Sequence, residues 1–202
     1  DKISSCLAPR PFVICIVDDG STDGTIEKIE EFQRRSGHIH LIKEKKRARG
    51  CLRGRALKIA LDWGLRHTDS QVFVEMDGDG SHRPEELALG ISLVDDFDVV
   101  IASKYRAGAR TVERELFRCL VSRFCTLLWR VLLWSPITDF SNGYRFYTRA
   151  AALLLASHET KYDSPLYLPE ALAIWMRNGL RIGDFPSIYI GRPFGRSKVT
   201  LS

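Results

Sequence analysis

From its N-terminal end the chain alternates short apolar runs with longer stretches in which apolar residues recur every three or four positions. The first run, residues 12–17, predicts a strand, and the spacing over 22–35 predicts a helix. The same alternation predicts a short strand at 40–43, a helix at 54–66 and a strand at 72–76. A helix at 84–94 and a strand at 98–102 follow. Strand, helix, strand, repeated in this way, predicts an α/β fold: a mainly parallel sheet with helices on both faces. From Val112 onward the pattern is more helical, and it closes in a loop rich in Gly, Pro and Arg.

Ligands of such sheets gather beyond the carboxyl ends of the strands. Three unusual stretches fall there: "VDDGS" at 17–21, "EMDGDGS" at 75–81 and "ASKYR" at 102–106. Asp18 and Asp19 are adjacent carboxylates, a repulsion that hydrogen-bond donors or a cation must relieve. Asp77 and Asp79 are two apart, so an extended backbone points them the same way. Flanked by Gly78 and Gly80, they make a hard-oxygen site for Mg²⁺ or Mn²⁺, with room for a phosphate to complete the coordination. The alternative is a solvated turn capping the helix that Pro84 begins. The second acidic strand end, at Asp18 and Asp19, favours the metal.

The third strand end brings Lys104 and Arg106. In the helical stretch after it, Arg114, Arg118 and Ser122 stack at i, i+4 and i+8. That stripe suits a phosphate, or is the solvated face of an amphipathic helix. Trp129, Trp134 and the neighbouring leucines also allow the helix a place at a membrane surface. The closing "RPFGRSK" supplies Arg192, Arg196, Ser197 and Lys198. His67 and His82 have no partner at ligand spacing and read as ordinary surface histidines.

At 202 residues, 45% hydrophobic and 27% charged, the chain reads as one soluble domain spanning 1–202. Its net charge of +5 fits an anionic partner. The basic residues are spread over separate loops with no nucleic-acid module, so nucleic acid is not that partner. Five cysteines without metal spacing read as reduced cytosolic thiols. The most apolar region, 116–137, is interrupted by Arg118, Arg123 and Arg130 and does not read as a transmembrane span. The sequence opens on Asp1 without Met and stops just after a Lys/Ser loop, so both ends read as cut from something longer.

Taken in order, these stretches resemble the type-A glycosyltransferases of family 2, specifically the dolichyl- and polyprenyl-phosphate hexose synthases. "VDDGSTDGT" resembles the nucleotide-binding turn, and "MDGDGSHRP" the Asp-x-Asp metal motif. "ASKYRAG", Arg118-x-x-x-Ser122-Arg123, "TDFSNGYRFYTRAA" and "RPFGRSK" resemble the later motifs of that branch. The resemblance implies a GT-A type, Rossmann-like fold. It implies inverting transfer of a hexose, GDP-mannose being the first choice of nucleotide sugar, to a polyprenyl or dolichyl phosphate at the cytosolic face of a membrane. Asp18, Asp19, Gly20, Ser21, Asp77 and Gly78 would hold the donor, and Asp77 and Asp79 the metal, with Arg118 also catalytic. Lys104, Arg118, Ser122, Arg192 and Lys198 would receive the acceptor phosphate. Asp139 and Arg145 would line the sugar or acceptor pocket, or form a structural salt bridge.

The sequence departs from the family at its first strand, which has no counterpart and so implies a fragment with an unpaired strand edge. Lys104 stands at a usual Arg, Arg114 at a usual Trp, and Leu52 at the first Gly of Gly-Leu-Gly-x-Ala. Two alternatives remain open: another family 2 enzyme using a UDP-sugar, and a non-catalytic nucleotide- or phosphate-binding module.

Overall fold

The computed structural model describes residues 2–45, 52–112 and 116–191, with residues 116–119 described by their backbone alone. Helix α1 (Lys2–Leu7) leads into β1 (Ile14–Asp18), α2 (Thr25–Arg35), β2 (Ile39–Lys43), α3 (Arg53–His67) and β3 (Val72–Glu75). Helix α4 (Leu87–Ser92), β4 (Val99–Ser103), β5 (Arg110–Val112) and α5 (Leu116–Leu132) follow. The chain continues through β6 (Arg145–Thr148), α6 (Arg149–Ser157), α7 (Tyr167–Arg177), β7 (Ile182–Pro186) and β8 (Ile188–Ile190).

Elements of the first half fall where the apolar pattern places them, with shifted ends. Helix α2 starts at Thr25 and not at 22: Gly24 before it lies at φ 78°, outside helical geometry, and Asp23 Oδ1 accepts from both the backbone N–H and the hydroxyl of Thr25. Arg34 and Arg35 in its last turn suit the negative end of the helix dipole. The helix expected over 84–94 is broken into 3₁₀ turns at Pro84–Glu86 and Leu93–Asp95 on either side of α4. Within α4, Gly90 lets the ring of Phe146 approach: a Cβ there would lie 2.2 Å from the ring.

The strands form three sheets, with order β3-β6-β4-β7 in the largest and the pairs β1-β2 and β5-β8 separate. The pairs β1-β2, β4-β7 and β5-β8 are parallel, and β6 runs antiparallel to both its neighbours. Among the described residues no ladder joins β1 to β3.

Strand β4 is buried along its whole length, and its alternation divides the core. Val99 and Ile101 face Tyr147, Ala151, Leu155, Leu172 and Trp175 on one side, where α3, α6 and α7 pack. Val100 and Ala102 face Tyr144, Phe146 and Phe185 on the other, covered by α1 and α4. Burying each of the larger aliphatic side chains and Phe rings among these contributes roughly 1.5–3 kcal/mol. Thr148 caps α6 by accepting the N–H of Ala151. Among the described residues no helix is long and apolar enough to cross a membrane.

Candidate active site

Strand β1 ends on Asp18, which turns its carboxylate back onto the following turn. Its Oδ1 accepts from the N–H of Gly20 at 3.0 Å and of Ser21 at 2.8 Å. Gly20 has φ 77°, in the left-handed region where an L side chain is strained. Two backbone donors therefore meet one of the two adjacent carboxylates. Asp19 lines a small cavity with Glu44, Leu52 and Arg55. Arg55, in the first turn of α3, pairs with Glu44 at 3.0 Å.

The second acidic end is held by the same helix terminus. Arg53 Nη1 lies 2.8 Å from the Asp77 carboxylate. Its Nε and Nη2 both reach Glu75 Oε1 at 3.1 Å, and Nη2 also donates to the carbonyl of Gly143 at 3.2 Å. Tyr167 completes the cluster, its hydroxyl donating to Glu75 Oε1 and lying 3.1 Å from Arg53 Nε. Glu75 Oε2 is buried without a hydrogen bond. Burial pushes the Glu75 carboxyl above its usual value despite the opposing pull of Arg53. Arg53 stays charged: burial opposes this, but Glu75 and Asp77 outweigh it.

His82 braces Asp77 from the backbone side. Its Nδ1 accepts the Asp77 N–H at 3.0 Å, so Nε2 carries the proton and donates to Asn142 Oδ1 at 3.0 Å. Asn142 in turn donates to the carbonyl of Ala102 at the end of β4. Burial lowers the imidazole pKa to about 4, so the 3.9 Å approach of His82 to Asp77 is not an ion pair at neutral pH. This ring, expected at the surface, is 4% exposed and stacks on Tyr144. His67 is exposed and stacks on Trp63.

Lys104, at the end of β4, is buried against Asp139 with 3.0 Å between Nζ and Oδ2. Tyr105 and Tyr189 present their rings to the same ammonium. Asp139 also accepts the N–H groups of Lys104, Ser141 and Asn142. Burial disfavours its charged form, but Lys104 and these donors hold its carboxyl below the usual value. The Ser141 hydroxyl donates to Asp139, leaving Ser122 on α5 to donate to Ser141 at 2.8 Å. A continuous chain of contacts thus runs from Asp77 through His82, Asn142, Asp139 and Ser141 to Ser122, with Lys104 alongside.

Arg145 stands behind this chain and does not line it. It is fully buried and donates to the carbonyls of Asn142, Leu168 and Phe140. Burial lowers its pKa to about 10, with Glu75 pulling the other way. Asp139 is likewise fully buried, and its ion pair is with Lys104. Arg118 lies on α5 one turn before Ser122, with its side chain outside the description; Arg114, Arg192, Arg196, Ser197 and Lys198 lie outside the described residues.

Asp77 and Asp79 fit a hard divalent cation by donor chemistry. Asp77 keeps 24% of its side-chain surface open, and Asp79 Oδ1 accepts the Ser81 N–H at 3.0 Å. The extended backbone expected to align the two carboxylates stops short of them: β3 ends at Glu75 and residues 78–80 turn, with Gly80 at φ 80°. Among the described residues no cluster of three or more His, Cys, Asp or Glu could hold a metal alone. Further ligands would be phosphate oxygens and water.

The sequence profile of glycosyl transferase family 2 matches residues 3–153. The chain is 34% identical over 193 residues to the polyprenol monophosphomannose synthase of Mycolicibacterium smegmatis, covering 94% of this chain and 71% of that protein. It is 31% identical over 190 residues to the undecaprenyl-phosphate mannosyltransferase of Micrococcus luteus, covering 93% and 75%. Among solved structures, glucosyl-3-phosphoglycerate synthase from Mycobacterium tuberculosis with uridine diphosphate superposes with TM-score 0.58 at 14% identity, over 96% of this chain and 67% of that one. S. aureus TarS superposes with TM-score 0.52 at 16% identity, over 95% and 53%. At such identities these two structures speak for the fold alone.

Proposed function

The chain belongs to glycosyl transferase family 2, and from that premise we propose that it transfers a hexose from a nucleotide diphosphate sugar to a polyprenyl phosphate, with inversion at the anomeric carbon. GDP-mannose is the proposed donor. Two relatives named for polyprenol and undecaprenyl-phosphate mannosyl transfer support the reading. The observation that carries it is the unbroken chain of contacts from Asp77 to Ser122, which sets an acidic strand end beside Lys104.

The acceptor phosphate, with a second pKa of about 6, is largely dianionic at neutral pH and attacks without a dedicated general base. Catalysis then rests on holding two anions together and stabilising the leaving group. Arg118, Arg192 and Lys198 are proposed to receive the acceptor, joined by Lys104 and Ser122 once their pairs with Asp139 and Ser141 open. Asp18 to Ser21 and Gly78 are proposed to hold the nucleotide. Mg²⁺ or Mn²⁺ on Asp77 and Asp79 would neutralise the departing diphosphate. His82 and Asn142 keep Asp77 in register with the Lys104 side.

We also propose that the domain works on a membrane surface through α5. Thr126, Trp129 and Leu133 turn inward, while Leu120, Phe124, Leu127 and Val131 form an outward stripe. Phe124 is 67% exposed, and Trp134, held at φ 47° where a bulky side chain is strained, is 95% exposed. Arg123 and Arg130 on the same helix suit anionic headgroups. A lipid acceptor is delivered from that surface.

A thermal-shift panel of GDP- and UDP-sugars, each with and without Mn²⁺, tests the donor. GDP-mannose with Mn²⁺ is expected to raise the melting temperature most. A rise with UDP-sugars alone would remove mannose transfer in favour of another family 2 reaction.

A further inference from the structure

Arg53 is the least expected member of the site. It occupies the first position of α3, where the helix dipole disfavours a cation, and that first turn contains no acidic residue. Its guanidinium is nevertheless held on three sides by groups that do not face solvent: Glu75, Tyr167 and the Gly143 carbonyl. Gly143 is required for this, since a Cβ there would lie 1.8 Å from Arg53 Nη2. The fourth contact, Nη1 to Asp77, points to the more open side. Glu75 keeps 7% of its side-chain surface and Asp77 keeps 24%. If Asp77 were taken by another cation, the guanidinium would keep its other partners.

We propose that Arg53 is a resident counter-cation for Asp77, which a divalent metal ion must displace or share when it binds the Asp-x-Asp carboxylates. This rests on the metal reading of Asp77 and Asp79 given above. A unit positive charge at hydrogen-bond distance opposes a second cation on the same carboxylate. Arg53 therefore weakens the site for the bare ion and keeps Asp77 compensated without one. It is a positioning residue, because it acts through Asp77 and touches neither reacting group.

The test is Mn²⁺ binding without nucleotide, followed by the loss of the free-ion electron paramagnetic resonance signal. Removing Arg53 alone would strand Glu75, so the comparison is Glu75→Gln against the double variant Arg53→Met, Glu75→Gln, with folding verified by circular dichroism. The double variant is expected to bind Mn²⁺ about tenfold or more tightly than Glu75→Gln. Asp77→Asn is expected to abolish binding in both backgrounds. Equal or weaker binding by the double variant, with binding still dependent on Asp77, would overturn the counter-cation role and leave the metal site standing. Absence of Asp77-dependent binding in every variant, wild type included, would remove both.

Discussion

The ammonium of Lys104 lies 3.0 Å from a carboxylate oxygen of Asp139, and both side chains are almost wholly withdrawn from solvent. The cation that the family resemblance assigns to an acceptor phosphate is thus already matched by a carboxylate. That carboxylate also gathers the N–H groups of Ser141 and Asn142 in the loop leading to β6. An arriving phosphate meets a compensated pair, so further positive charge and donors must come from α5 and beyond.

Breaking this pair strands a buried charge. Asp139→Asn is expected to lower stability by about 3 kcal/mol in urea unfolding, and the melting temperature by roughly 6–12 °C. A loss below about 1 kcal/mol would mean that the pair is not buried as described.

The pH dependence follows from the same carboxyl group. Its folded-state pKa is depressed, so the stability it contributes is present above the unfolded value of about 3.9 and is lost as pH falls through the folded value. Wild-type stability, followed by urea unfolding between pH 6 and 2, should fall more steeply than that of Asp139→Asn at the acid end. Parallel curves would contradict the assignment.

Two glycines separate close approach from open space. Gly143→Ala pushes on the Arg53 guanidinium, and overpacking of this kind costs about 1–3 kcal/mol. Gly78→Ala meets nothing within 4 Å and is expected to be near neutral in stability. Equal melting temperatures for the two variants would show that Arg53 does not sit against Gly143.

The exposed stripe of α5 gives a membrane readout. Sedimentation with vesicles containing anionic lipid is expected to be lost in Phe124→Asp, which removes a buried-ring contribution of roughly 1.5–3 kcal/mol. Cys125, exposed on the same helix, should be protected by vesicles from a water-soluble maleimide. Unchanged labelling with vesicles present would place the bilayer elsewhere.

Much of this arrangement was legible in the sequence. The α/β alternation placed the first four strands of the chain, and the ends of β1, β3 and β4 carry the residues that the motifs single out. Strand β6 escaped because its first three residues, Arg145 to Tyr147, are all buried between two antiparallel neighbours and show no alternation to read. His82 was misplaced because its partners are a backbone N–H and Asn142, sixty residues away, which no ligand spacing reveals. Arg53 and Glu75 left a subtler trace. Two arginines in the first turn of α3 and a glutamate closing an apolar strand are each unfavourable alone. Their juxtaposition offsets part of both: Arg53 stays charged, while burial still raises the Glu75 carboxyl. Arg145 could not be told from a pocket residue, since its partners are backbone carbonyls.

The most direct measurement is transfer itself. The protein, in vesicles containing undecaprenyl phosphate, is given GDP-[14C]mannose and Mn²⁺, and label is counted in the lipid phase. Lipid-linked label that disappears in Asp77→Asn and Asp79→Asn is the expected result. Absence of lipid-phase label from GDP- and UDP-sugars alike, with folded protein bound to the vesicles, would contradict the transferase reading.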